Sequence, residues 1–570
     1  MRVAGMRNEG VAGHRRSPVG QFALGLGRAR AAVSLLDALA TVLAALIVVT
    51  VAVVMLQVFA PATDTWAHLV ATVLPEYVRN TIYLLVGVGF GVGVIGTLTA
   101  WVVTTYRFPG RQTLEWALVL PLAMPAYVVA YAYTDALQFS GPVQTWLREL
   151  MGWRAREYWF PDIRSVGGAI TLFILTLYPY VYLLARAAFL EQGMATLEAS
   201  RLLGVSRWGS FLRVALPLAR PAIVGGMALA MMETLADFGT VSYFAVPTFS
   251  TGIYRAWFSL GDFHAAAQLA IVMLVFVLAI LAFERALRGR ARVHNTGNRR
   301  AVGSVPLQSR SAWLATVVCG LPVLLGFAVP AAMLVRMAIA QGDPQFGPRF
   351  LELVFNSFSL AGVAAAVAVA MALLVAYAAR VTHLRLVMTA AKISGIGYAL
   401  PGTIIAVGIL IPLAALDNAL AGWLKAQFGI AAGLLLTGSI AALVYAYIVR
   451  FLGVALQTIH AGLAKITPSM DDVSRSLGLG PAATLRRVHL PMLRRSVFTA
   501  GLLVFVDVMK ELPATFVLRP FNFDTLAVQA YNLAADERLS EAATASLVIV
   551  LVGVLPIIIL SRAMRRTRRE

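Results

Sequence analysis

Long apolar runs separated by short charged stretches constrain this chain more than anything else in it. The first runs from Ala32 to Ala60. A secretory leader has an apolar core of only about 7–15 residues, whereas a helix crossing a bilayer needs about 20. Eleven further runs follow, around residues 80–104, 115–137, 167–190, 221–245, 265–284, 312–338, 356–379, 386–413, 430–455, 496–518 and 543–561. Hydrophobic residues make up 59% of the 570 and charged ones only 13%, against roughly 25% charged in a soluble domain. The expectation is an all-α integral membrane protein with twelve transmembrane helices. Pro121, Pro125, Pro401 and Gly402 fall inside expected spans, where a bundle can re-satisfy the backbone.

The Arg-rich joint between Arg285 and Arg310 divides the spans six and six. The expected organisation is a disordered basic tail over 1–32, a first domain over 33–284, a linker over 285–311, a second domain over 312–562 and a basic tail over 563–570. The net charge of +20 does not indicate nucleic acid, because the basic residues lie between apolar runs and report topology. With both termini cytoplasmic, roughly 35 Lys and Arg fall inside and roughly 11 outside. The loop Phe139–Ser165 fits least well. Six spans per half make both halves enter the membrane the same way, the parallel type of repeat, whose substrate path lies where the halves meet.

An amphipathic stretch inside each half repeats with fixed register. Glu198, Ala199, Gly204, Val214, Leu216 and Pro217 recur 274 positions later as Asp472, Val473, Gly478, Val488, Leu490 and Pro491. Helical spacing of Leu197, Leu202 and Leu203, a left-handed stop at Gly204, a Ser206 cap and a break at Pro217 predict two short helices around a corner. In the fifth and eleventh spans the same shift aligns Glu233 and Asp237 with Asp507 and Glu511, and Lys510 lies among them. Glu233 would sit about 18 Å along a helix that starts at Pro221, near the bilayer centre. Ionisable groups at that depth are expensive and functional by default. Two readings stand: a translocation pathway or gate lined by these five residues, or an interhelical pair of Lys510 with Glu233 or Asp237.

The repeated stretch carries a family pattern: Glu-Ala-Ala, three residues, Gly, nine residues, then Ile-x-Leu-Pro. On it the chain resembles the permease subunits of bacterial ABC importers, with Ser200 and Val214 as variants and Asp472, Val473 and Ser474 in the second copy. The resemblance implies that the loops 191–220 and 465–495 are coupling loops, in which Glu198, Ala199, Gly204, Asp472 and Gly478 dock an ATPase. It also implies two copies of that ATPase, a periplasmic substrate-binding protein and a place in the bacterial inner membrane. The stretches Met232–Phe244, Met509–Thr515 and Arg519–Ala527 are most similar to fused two-domain permeases for iron(III). Fused permeases for thiamine or phosphonates share the architecture, and a gradient-driven carrier of twelve spans would share the hydropathy. Two interfacial helices are the plainer reading of the loops.

No catalytic constellation accompanies these features. Cys319 is the single cysteine, the seven histidines are scattered, and none of Lys392, Lys425, Lys465 and Lys510 closes a phosphate-binding loop. The expectation is a transport subunit that binds no cofactor and no firmly assigned metal, with ATP and Mg used by the partner.

Overall fold

The computed structural model describes residues 18–61, 63–154, 157–288, 305–341, 347–382, 384–431 and 433–567. The expected tails lie outside the described residues over 1–17 and 568–570, as does the expected linker over 289–304. The chain is overwhelmingly helical, because in a bilayer core each backbone N–H and C=O has to find its partner within the protein. Ten helices among the described residues are long and apolar enough to cross a membrane. The number is eleven if the bent pair Arg111–Ala123 and Ala126–Met151 counts as one span. Each of the twelve expected segments holds helix. The one at 496–518 is Leu490–Met509, whose Arg494, Arg495 and Asp507 keep it out of the apolar set.

Prolines decide where two of the spans break. Met124 (φ −106°, ψ 112°) and Leu400 (φ −88°, ψ 127°) are extended, since a following proline disfavours helical geometry. The third span therefore bends by 91°. The region expected at 386–413 divides into an amphipathic helix Arg385–Ser394 and a span Gly402–Phe428. These prolines interrupt their helices rather than being absorbed in them. Pro217 and Pro491 behave in the opposite way. Each sits in the first turn of a helix, Leu216–Ala236 or Leu490–Met509, entered directly from a π-helical turn at Phe211–Ala215 or Leu485–His489. The wider turn absorbs the missing N–H, so the expected break is a bulge.

The halves are interleaved. The first span, Leu35–Phe59, packs on the second half: Thr50 and Tyr445 share a hydrogen bond of 2.9 Å, and Thr382 donates to Asp37 at 2.6 Å. The seventh, Ser309–Ala340, packs on the first half, where Tyr133 donates to the Leu325 carbonyl at 2.7 Å and Thr316 to that of Pro109 at 2.9 Å. Internal symmetry persists in detail. Asn80 donates to the Pro247 carbonyl and Asn356 to that of Asp524, at 3.0 and 3.3 Å. A two-residue parallel bridge, Tyr106–Arg107 with Val305–Pro306, joins the end of the second span to the start of the seventh.

Candidate translocation site between the halves

The fifth and eleventh spans stop part-way, at Ala236 and Met509, and restart as short helices Gly239–Tyr243 and Pro513–Leu518. Asp237 and Glu511 cap the restarts. Asp237 accepts from the backbone N–H groups of Thr240 and Val241 at 2.9 and 3.2 Å. Glu511 accepts from those of Ala514 and Thr515, both at 2.9 Å. The four donors are equivalent under the 274-residue shift, so the two carboxylates do the same local work. Because they lie beyond the helix ends at Ala236 and Met509, they share no helical face with Glu233 and Asp507 despite the four-residue spacing.

All five residues expected in the pathway nevertheless line one cavity of about 110 Å³. Lys510 pairs with Asp507 on its own chain segment, Nζ to Oδ1 at 3.0 Å. The i, i+3 spacing wins over the expected pair across the halves. Arg450, 8% exposed, joins the same cavity and donates to Glu511 at 2.9 Å. A Cβ on Gly402 would stand 2.5 Å from the Arg450 Nη1 and 2.9 Å from the Glu511 Oε1, so only glycine lets this pair seat against the ninth span. Under the repeat shift, Arg450 corresponds to Thr176 and Lys510 to Ala236. Among the described residues that line the cavity, carboxylates thus come from both halves and cations only from the second.

Sequence reasoning missed Arg450, Tyr180 and Tyr398. The last two line the cavity from opposite halves. Arg450 left a signal, a lone charge inside the run 430–455. Tyr127 also lines the cavity, whereas Tyr131 is buried against Tyr127 and Tyr243 and Tyr133 is tied to the seventh span. Among the described residues, no three His, Cys, Asp or Glu side chains converge as a metal site.

At one end of the bundle lie the repeated loops. Gly204 (φ +79°) and Gly478 (φ +76°) adopt the left-handed conformation that ends a helix without a Cβ clash. Ser206 accepts from the Gly209 N–H as the expected cap. Leu203 and Leu477, equivalent under the shift, are 84% and 74% exposed, which leaves matched apolar tips. The copies differ upstream. The first continues the helix Val166–Leu202 without a break, whereas Pro468 starts a separate helix Pro468–Ser476 in the second. Glu198 and Ala199 fall in the former, their side chains outside the described residues. Asp472 lies on the latter, exposed and paired with Arg475. Asp471 beside it turns inward to Arg380 at 2.8 Å and His489 at 2.6 Å.

The opposite end is closed by contacts between the halves. Ser242 and Tyr531 share a hydrogen bond of 2.7 Å, and Arg164 pairs with Glu537 at 2.8 Å. Burial works against the Arg164 charge, but the Glu537 carboxylate and Tyr243 hydroxyl hold its pKa above the ordinary arginine value. Phe238 packs on Phe516 and Tyr531 at ring separations of 5.8 and 5.5 Å.

Residues 92–293 match the family model described as binding-protein-dependent transport system inner membrane component. Over 494 residues the chain is 26% identical to the Fe(3+)-transport system permease protein FbpB 2 of Haemophilus influenzae, covering 86% of this chain and 90% of that one. It is 31% identical over 223 residues to the sulfate transport system permease protein CysT of Escherichia coli, covering 37% of this chain and 73% of the relative. The ferric transport system permease protein FbpB of Actinobacillus pleuropneumoniae is 23% identical over 481 residues, 80% of this chain and 66% of that one. With its multi-pass helical architecture and repeated loops, the chain belongs to the ABC permease family of binding-protein-dependent inner membrane transport components.

Proposed function

We propose that the chain is the fused, two-domain permease of an ATP-driven importer for iron(III), which a periplasmic binding protein delivers to its outer face. The observation that carries this reading is the cavity where the halves meet, to which Glu233 and Asp507 bring carboxylates from equivalent positions. The likeness to FbpB 2 along 86% of the chain supports the cargo. In this reading residues 33–284 and 312–562 are paired permease domains with both termini in the cytoplasm. The loops 191–220 and 465–495 each dock one of two ATPase copies, through Glu198, Ala199 and Gly204 and through Asp472 and Gly478. ATP and Mg are used in that partner. Closure of the ATPase pair draws the loops together and opens the end sealed by Ser242, Tyr531, Arg164 and Glu537. Cargo enters the cavity there and leaves between the loops when the ATPases part.

Iron(III) uptake by the assembled complex, fed by its binding protein, tests this. Glu233→Gln combined with Asp507→Asn is expected to lower ATP-dependent uptake at least about tenfold, because the charge that offsets cation dehydration is gone. Unchanged uptake in an assembled complex would remove these residues from the path. Uptake of sulfate, thiamine or a phosphonate instead of iron would keep the permease and replace the cargo.

A further inference from the structure

We propose that the Lys510 ammonium is a resident counter-cation in an oxygen-donor site made by Glu233, Asp507, Tyr180 and Tyr398, and that a multivalent cargo cation enters by displacing it. This deepens the iron(III) reading and rests on it.

The cavity carboxylates divide into two kinds. Asp237 and Glu511 are spent on backbone N–H groups, and Glu511 on Arg450 as well. Asp507 instead holds a movable partner, the Lys510 ammonium at 3.0 Å. Glu233, from the other half, lines the same cavity as Lys510. The Tyr180 and Tyr398 phenols line the same cavity as Glu233 and Asp507, one from each half. Among the described residues no histidine or cysteine lines the cavity, and apart from the Met124 thioether the donors are hard oxygens, which suit hard, highly charged cations. The volume of about 110 Å³ holds an ion with a few waters.

The fold does not require a cation at this point. A lysine at a helix C-terminus complements the dipole, yet the equivalent helix of the first half ends at Ala236 and forms without one. The two cations of the cavity also differ in freedom. The Arg450 side chain is 10% exposed and held by Glu511, whereas that of Lys510 is 29% exposed, on a flexible four-carbon stem. A tethered ammonium competes at millimolar effective concentration or above. A monovalent ion gains little by replacing it, and a trivalent one gains by its charge. Lys510 thereby offsets part of the negative charge of the path and biases it toward multivalent cargo.

Terbium(III), a hard trivalent ion whose luminescence nearby tyrosines sensitise, is the probe, titrated into the purified full chain. Lys510→Ala is expected to bind it about tenfold more tightly than the native chain, the usual effect of removing one close like charge. Lys510→Gln carries the same expectation, and Lys510→Arg should stay close to native. Adding Glu233→Gln to Lys510→Ala should cancel the gain, and adding Tyr180→Phe should dim the sensitised emission. Equal titration of Lys510→Ala and native chain, or a gain that survives Glu233→Gln, overturns the proposal. A measurement on the native chain needs no variant: saturating terbium(III) should speed acylation of Lys510 by an amine-reactive reagent, and an unchanged rate also overturns it. If these fail while Glu233→Gln with Asp507→Asn still abolishes iron uptake, the path stands and only the exchange falls. If that double substitution leaves uptake intact, the path itself falls.

Discussion

Asp237 and Glu511 cap equivalent helices but carry different burdens. Glu511 also neutralises Arg450, while the residue equivalent to Arg450 in the first half is Thr176. Removing one member of a buried ion pair costs about 3–5 kcal/mol, because the other charge is left uncompensated. Glu511→Gln should therefore lower stability by about 3 kcal/mol, whereas Asp237→Asn, which keeps an acceptor for its cap, should cost about 1 kcal/mol or less. Thermal unfolding of the two variants in detergent checks this, and equal losses would deny the role of Arg450. The spacing in the sequence was enough to find all four carboxylates but not to divide them into caps and cavity walls. That division depends on where the helices stop, and neither Ala236 nor Met509 carries a stop signal. Tyr398 was illegible for a related reason: it reaches the cavity only because the chain breaks before Pro401.

At the scale of elements, the loops were the most legible part of the chain. The glycine corners and the serine cap follow from residue chemistry, and both glycines adopt positive φ. The difference between the copies follows from Pro468, which starts a new helix where the first copy runs on. The second loop gains an anchor in exchange, Asp471 to Arg380 and His489. The π-turns before Pro217 and Pro491 were not legible, since a proline near a helix start reads as a break unless tertiary packing carries the helix through. A β-branched residue in the left-handed conformation costs about 1–2 kcal/mol. Gly204→Val and Gly478→Val should each misalign a loop tip while the spans stay inserted. Co-purification of the ATPase is expected to drop about tenfold, which is some 1.4 kcal/mol, with membrane abundance unchanged. Native-like ATPase capture by both variants would contradict the docking role.

At the scale of the molecule, hydropathy located the spans but not their neighbours. Nothing in the first or seventh apolar run says that it lies against the opposite half, because lipid-facing and helix-facing residues are alike apolar. Interleaving ties the halves at their rims. The contacts that close one end combine two polar pairs, Ser242 with Tyr531 and Arg164 with Glu537, with the packing of Phe238 on Phe516 and Tyr531. Such a bundle suits a rocking motion about the central cavity, driven from the loops. In the proposed mechanism a separate ATPase drives this motion, and the decisive experiment is iron(III) uptake into proteoliposomes, with and without that ATPase and with the binding protein present. Uptake is expected only with ATPase and ATP together, persisting after proton and sodium gradients are collapsed. Uptake by the permease alone, driven by an ion gradient, would contradict it.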